Sequence, residues 1–229
     1  MIQTDTISNC ISVNSIFDSL KEDEINLLRD THKHFAFKRN DLLYREGSKI
    51  NGLYCILDGI IKIYKTGTEG KEQIIRFSQK GEIIGFRSVL SNEFACTSAK
   101  AIENSTVCFI PSHTLFSIVG SNNNFSLELM KLTCRELGEA NKFILNIAQK
   151  TVRERLAEIL LILNETFETD KDGSLRLVIT REEIANLIGT ATESVIRLLS
   201  EFKSDSIISL HGRKIKLLNI PKLKKMANK

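Results

Sequence analysis

TREEIANLIGTATESVIRLLSEF, residues 180–202, decides the reading of this chain, because two short helical patterns meet there at a glycine. Thr180 followed three residues later by Glu183 makes a capping box, in which both side chains accept backbone N–H groups left orphaned at a helix start. Ile184, Leu187 and Ile188 fall on one face of the helix that follows, and Gly189 ends it. A second helix over 192–202 turns Val195, Leu198, Leu199 and Phe202 inward and leaves Thr192, Glu193, Ile196, Arg197 and Ser200 outward. Two short helices joined by a tight glycine-bearing turn make a helix-turn-helix, whose second helix offers its N-terminal residues to base edges in the major groove. Glu193 and Arg197 lie one turn apart on that helix. A guanidinium donates two parallel bonds to guanine O6 and N7 and a carboxylate accepts from the cytosine amino group, so the pair suits neighbouring base pairs. The same spacing also suits an ordinary i,i+4 surface ion pair.

Downstream, IISL (207–210) and KIKLL (214–218) alternate around His211 and Gly212, which reads as a hairpin wing behind the two helices. From Lys203 to Lys229 eight Lys or Arg stand against one acid, Asp205. That bias suits a polyanionic partner and equally a solvating tail. Upstream come a helical pattern over 152–163, a polar turn from Asp170 to Gly173, and LRLVI (175–179), which reads as a short strand. Farther upstream, residues 125–148 hold no proline and one glycine, and Met130, Thr133, Leu137, Ala140, Ile144 and Ile147 recur at alternating three- and four-residue steps. This heptad seam predicts a long helix. With Leu129, Leu132 and Phe143 on neighbouring faces, the helix packs on its own chain while the seam meets a second copy, although so short a seam also fits packing within one chain alone.

In the first half, Gly47, Gly52, Gly59, Gly67, Gly70, Gly81 and Gly85 punctuate runs such as GLYCIL (52–57), IIKIYK (60–65) and QIIRF (73–77), with TGTEG (66–70) as a hairpin turn. Short strands with tight turns predict a sandwich or barrel. At 229 residues, 42% hydrophobic and 26% charged, the chain has the composition of a folded protein of two domains, which excludes collagen and low-complexity disorder. No run approaches the ~20 apolar residues of a membrane span, and the start MIQTDTISNC lacks the basic and apolar regions of a leader, so a cytoplasmic protein without membrane contact is expected. Cys10, Cys55, Cys96, Cys108 and Cys134 are scattered without a CxxC pair and read as reduced thiols.

ITREEIANLIGTATESVIRLLSEF (179–202) followed by ISLHGRKIKLL (208–218) resembles the winged helix-turn-helix of the CRP/FNR family of bacterial transcription regulators. The segment from FKRNDLL to GEIIG (37–85) is similar to that family's cyclic-nucleotide-binding-like β-roll, and the heptad helix takes the place of its dimerisation helix. The resemblance implies an α+β chain in three parts: a sensor β-roll of jelly-roll type over 1–119, a linking and dimerisation helix over 120–150, and a winged helix-turn-helix domain over 151–229. It implies a homodimer on double-stranded DNA, with Met130, Leu137, Ala140, Ile144 and Ile147 in the dimer seam and RNA polymerase as a further partner. Glu193 and Arg197 match the base-reading acid and arginine of a TGA half-site. Thr192 stands where the cAMP-responsive branch has another base-reading arginine, which implies a TTGA-like half-site instead. Arg181, Ser194 and His211 match positions that touch phosphates, and the basic wing adds Arg213; such contacts position a protein without reading sequence.

The stretch GEIIGFRSVLSNEFACTSAKA (81–101) corresponds to the phosphate cassette of the cAMP-binding members. After Gly85 comes Phe86 in place of the ribose-binding glutamate, and Ala95 or Cys96 replaces the arginine that neutralises the cyclic phosphate. The degenerate effector pocket therefore comprises Gly85, Phe86, Arg87, Ser88, Cys96 and Thr97. An anion buried without a bidentate partner loses the bonds that make burial tolerable, so cAMP is not expected to bind. Arg87 reads as an exposed salt-bridging residue. An iron–sulfur cluster, as held by the oxygen-sensing branch, is not expected because only Cys10 remains of the N-terminal cysteine cluster and four thiolates are required. Cys55, Cys96 and Cys108 read as buried fillers, and His32 and His34 as surface residues. No effector, cofactor, metal ligand or catalytic residue is assigned. The competing reading is a cupin-like small-molecule-binding or metal-dependent barrel with a helical appendage; clustered His and Glu, a Ser-His-Asp set, GxSxG and a P-loop are all missing, so no enzyme is expected.

Overall fold

The computed structural model describes residues 10–12 and 14–228, and the leader reading of the first nine residues lies outside them. It forms two units, residues 1–137 and 138–229. In the first, a 3₁₀ turn at Ser15–Phe17 and helix α1 (Glu22–Thr31) precede strands β1 (Lys33–Phe37), β2 (Leu42–Tyr44), β3 (Gly52–Asp58), β4 (Ile60–Thr66), β5 (Glu72–Gln79) and β6 (Ile83–Ile84). A short helix α2 (Phe86–Leu90), strands β7 (Ser98–Ala101) and β8 (Ser105–Pro111), helix α3 (Ser112–Ser121) and the long α4 (Asn123–Gln149) follow.

The strands make two antiparallel sheets, ordered β1-β8-β3-β6 and β2-β7-β4-β5. Alternation along each strand sorts the core into two layers. Ile56, Ile61, Ile63, Ile84, Ala99, Ala101 and Val107 from both sheets meet between them. Leu53, Cys55, Cys108 and Ile110 point the other way, onto Phe17, Leu28, Phe86, Leu115, Phe125 and Leu129 of the helices. The expected hairpin at 66–70 joins β4 to β5, with Gly67 N–H bonded to Lys71 O.

The α3–α4 junction is a buried polar knot. Asn122 accepts from Phe125 N–H at 3.0 Å and donates to Glu24 Oε2 at 2.8 Å and to Ser19 O at 2.9 Å, while Ser121 donates to Glu24 Oε1. Along α4 the two expected faces separate: Leu129 is 3% exposed and Leu132 packs on the helix-side core, whereas Met130, Leu137 and Ile144 are 57%, 62% and 64% exposed.

The second unit continues with α5 (Val152–Phe167), α6 (Arg181–Ile188), α7 (Thr192–Ser204), a hairpin of β9 (Ile208–His211) and β10 (Lys214–Leu217), and α8 (Ile220–Met226). Residues 175–179 are not the expected strand: Thr169 and Leu175 form an isolated bridge, Leu175 N–H bonds Ile215 O, and no ladder follows. Leu175, Leu177 and Ile179 are nonetheless buried, so the alternation in the sequence reports burial of an extended segment that lacks a strand partner. The C-terminal basic stretch is not a free tail. Residues 220–226 are helical because Asn219 caps Lys222 N–H and Pro221 occupies the first turn, and Leu223 is buried as α8 packs on α5.

Candidate nucleic-acid interface

The capping box forms as expected: Thr180 Oγ1 accepts from Glu183 N–H and Glu183 Oε2 accepts from Thr180 N–H, at 3.0 and 2.7 Å. Gly189 closes α6 in the left-handed conformation, φ 68°, which carries little strain only without a Cβ. The turn is held from outside by Arg155 of α5. Its Nε donates to Ile188 O at 2.8 Å and its Nη1 to Lys150 O at 2.6 Å, so one guanidinium satisfies a carbonyl orphaned at the end of α6. Burial pushes the Arg155 guanidinium below its ordinary value. Sequence reading missed Arg155, since its role depends on a neighbour 33 residues away.

Helix α7 buries Val195, Leu198, Leu199 and Phe202 and exposes Glu193, Ile196, Arg197 and Ser200; Thr192 and Ser194 are half-buried. Among the described residues Glu193 and Arg197 form no ion pair, and both are exposed. Arg197 lines an open cleft with Arg153, Ser200, Glu201, Ser204 and Asp205. Arg153 of α5 pairs with Glu201, reaches Asp205 at 3.4 Å and lies 5.0 Å over the Phe202 ring, which fixes the C-terminal half of α7.

At the wing, His211, Gly212 and Arg213 form the exposed tip. Arg181 donates to Gly212 O at 3.0 Å and toward Arg213 O at 3.4 Å, so it ties the start of α6 to the wing tip. Not all of the basic surface is free: Lys214 pairs with Asp170 at 2.6 Å and Asp172 at 3.6 Å, and Lys216 donates to Asp172 O. The hydrogen bond from Lys214 holds Asp170 below the usual carboxylate range.

In the first unit Gly85, at φ 81°, starts α2, and Phe86 is 2% exposed within the helix-side core. Ser88 is buried, Thr97 is half-buried, and Cys96, expected as a buried filler, is only half-buried because it lies in the loop before β7; Arg87 is exposed and 3.4 Å from Glu93, as read for a surface salt bridge. Cys55 and Cys108 face each other across β3 and β8, and Cys55 Sγ is 4.0 Å from Cys10 O. All three are fully buried, and hydrogen bonds among their thiols followed by burial push the Cys10 thiol far above its ordinary value. Cys10, Cys55 and Cys108 are three thiols within an apolar layer, one fewer than the four thiolates of an iron–sulfur cluster. Among the described residues no group of three or more His, Cys, Asp or Glu is placed to hold a metal ion, and no helix is long and apolar enough to cross a membrane.

A β-roll joined through a long helix to a winged helix-turn-helix defines a class of DNA-binding regulators. A cyclic nucleotide-binding domain model matches residues 34–122 and a Crp-like helix-turn-helix domain model residues 154–226. Over 212 residues, 91% of this chain and 84% of the relatives, the sequence is 32% identical to the fumarate and nitrate reduction regulatory protein of Yersinia pestis and 30% identical to that of Escherichia coli K12. The fold is similar to FixK2 from Bradyrhizobium japonicum, with TM-score 0.77, 25% identity and coverage of 86% of this chain and 97% of that one. It is also similar to a CRP/FNR-family regulator from Eubacterium rectale, with TM-score 0.81, 19% identity and coverage of 95% and 100%. The chain belongs to the CRP/FNR family of transcription regulators, which removes the cupin-like barrel reading.

Proposed function

We propose that this chain binds a palindromic TTGA-like operator as a homodimer and does so without cAMP. The observation that carries the reading is the unpaired Glu193 and Arg197 on the exposed face of α7. Arg197 is assigned to guanine, Glu193 to cytosine and Thr192 to the outer position of the half-site. Ser194, His211 and Arg213 are assigned to phosphates. Arg181 holds the wing tip and reaches phosphate through its remaining donors. Met130, Leu137, Ala140, Ile144 and Ile147 are assigned to the dimer seam, and exposed apolar side chains along one stripe of a long helix support that assignment. A two-fold dimer suits half-sites one helical turn apart. The roll, the helix and the winged domain are assigned to residues 1–119, 120–150 and 151–229. The reading assigns the protein to the cytoplasm with RNA polymerase as a partner, and assigns it no catalytic role.

The test is titration of a TTGA-N6-TCAA duplex against a scrambled duplex at two salt concentrations, with and without cAMP. Tight, salt-sensitive preference for the palindrome, unchanged by cAMP, is the expected result. Dependence on cAMP overturns the reading of Phe86 and Ala95, and equal binding to both duplexes overturns the operator.

A further inference from the structure

In the first unit one guanidinium lies between two carboxylates from different elements. Arg76 of β5 donates through Nη1 to Glu82 at 2.5 Å and through Nη2 to Glu136 of α4 at 2.8 Å. All three side chains are about one-third exposed, so the pairs are partly shielded from water. Arg87, one of the residues read from the sequence as the degenerate effector pocket, acts on this cluster. The charges of Arg76 and Arg87 both oppose the upward push on the Glu136 carboxyl, and Arg76 likewise favours ionisation of the Tyr44 phenol. Burial pushes Tyr44 up to about 12, so it is a neutral phenol. Burial likewise holds Glu136 above its ordinary value against the pull of Arg76, and the Glu82 charge adds to that effect.

Charge arithmetic decides what this pocket accepts. Arg76, Arg87, Glu82 and Glu136 sum to zero net charge, so an incoming anion finds no uncompensated cation there. Without Glu136 the same groups carry one net positive charge: the Arg76–Glu82 pair is neutral, Nη2 of Arg76 loses its carboxylate, and among the described residues Arg87 is paired through an exposed 3.4 Å contact to Glu93. A guanidinium edge with open donors beside a second arginine suits a phosphate-class anion.

We propose that Glu136 is the resident anion of this pocket: its carboxylate occupies, from within the chain, the place at Arg76 where a phosphate group would sit. The site is latent for phosphate-class anions and is closed by α4 itself. This deepens the cAMP-independent reading above by naming what fills the pocket, and its test uses no DNA, so a failure of operator binding leaves it standing.

The experiment is thermal unfolding of the full chain in inorganic phosphate against chloride at matched ionic strength, for wild type, Glu136→Ala and Glu136→Ala combined with Arg76→Gln. Phosphate should raise the midpoint of Glu136→Ala by about 2 to 4 °C. It should leave wild type unmoved, and the Arg76→Gln change should abolish the shift. Glu136→Gln, which removes the charge but keeps the side-chain shape, should show a smaller gain and guards against a variant that fails to fold. A parallel series with cAMP separates the sources: a larger gain than with phosphate assigns the latent site to a nucleotide phosphate, and an equal gain to free phosphate. Equal shifts in wild type and both Glu136 variants, no shift in either variant, or a shift that survives Arg76→Gln overturns the proposal.

Discussion

Arg197 and Arg213 are both cationic and exposed, yet their assignments predict different losses. Arg197→Ala should cost ~1–3 kcal/mol on the operator and relax specificity at one guanine, whereas Arg213→Ala should weaken every duplex alike and reduce the salt slope by about 1. Duplex titrations with single-base changes at several salt concentrations separate the two, and unchanged operator affinity in Arg197→Ala removes the recognition-helix assignment. Glu24 carries a prediction about stability. Burial alone would raise its carboxyl, but the Lys21 N–H and the Asn122 and Ser121 side chains outweigh it and hold Glu24 below its ordinary value. A carboxyl lowered in the folded state stabilises the fold above its unfolded value, and that contribution is lost as pH falls through the lowered one. Glu24→Gln should therefore reduce stability by about 1 kcal/mol at pH 7, and the difference should close as the pH drops below the usual carboxylate range; a difference independent of pH would sink the account. The exposure of Glu193 and Arg197 was legible in sequence because the apolar period of α7 fixes which face turns outward. Arg155, Arg153 and Arg76 were not, since each acts on residues far away in the chain.

Among the elements, α4 could be read most fully, because 27 residues with a sustained heptad pattern leave one apolar face for the core and one for solvent. The exposed face predicts that Ile144→Glu raises the dimer dissociation constant at least about tenfold, since a charge in an apolar seam is desolvated without a partner. Sedimentation against concentration measures this, and an unchanged dimer would reassign the stripe. The α6–turn–α7 pair predicts that Arg155→Ala destabilises the second unit by about 1–3 kcal/mol by orphaning the carbonyl at Ile188. Chemical denaturation monitored on this unit tests it, and no loss would mean that water replaces the guanidinium. Two readings failed at this scale. Residues 175–179 alternate like a strand but find no partner, and residues 220–226 are too short and basic for a hydrophobic period to show, so α8 emerged only with its cap and its packing on α5.

For the whole molecule, two winged domains on one operator should give an affinity that falls linearly in log–log salt plots, with a slope near −0.9 for each phosphate neutralised. The basic count overstates that number, because Lys214 and Lys216 are engaged by the 170–173 turn. By itself the sequence determined the order of parts: β-roll, long helix, winged helix-turn-helix. Hydrophobic period, glycine turns and a capping box are local properties that each segment carries into the fold. It also determined that the cassette lacks the acid and arginine of a cyclic-nucleotide site. Only the tertiary structure decided which carboxylates meet Arg76 and what holds α7 in place. The Arg76–Glu136 contact spans 60 residues and Arg153–Glu201 spans 48. Which charge finds which depends on how β5 meets α4 and how α5 crosses α7, and no local pattern encodes a partner that only packing brings near.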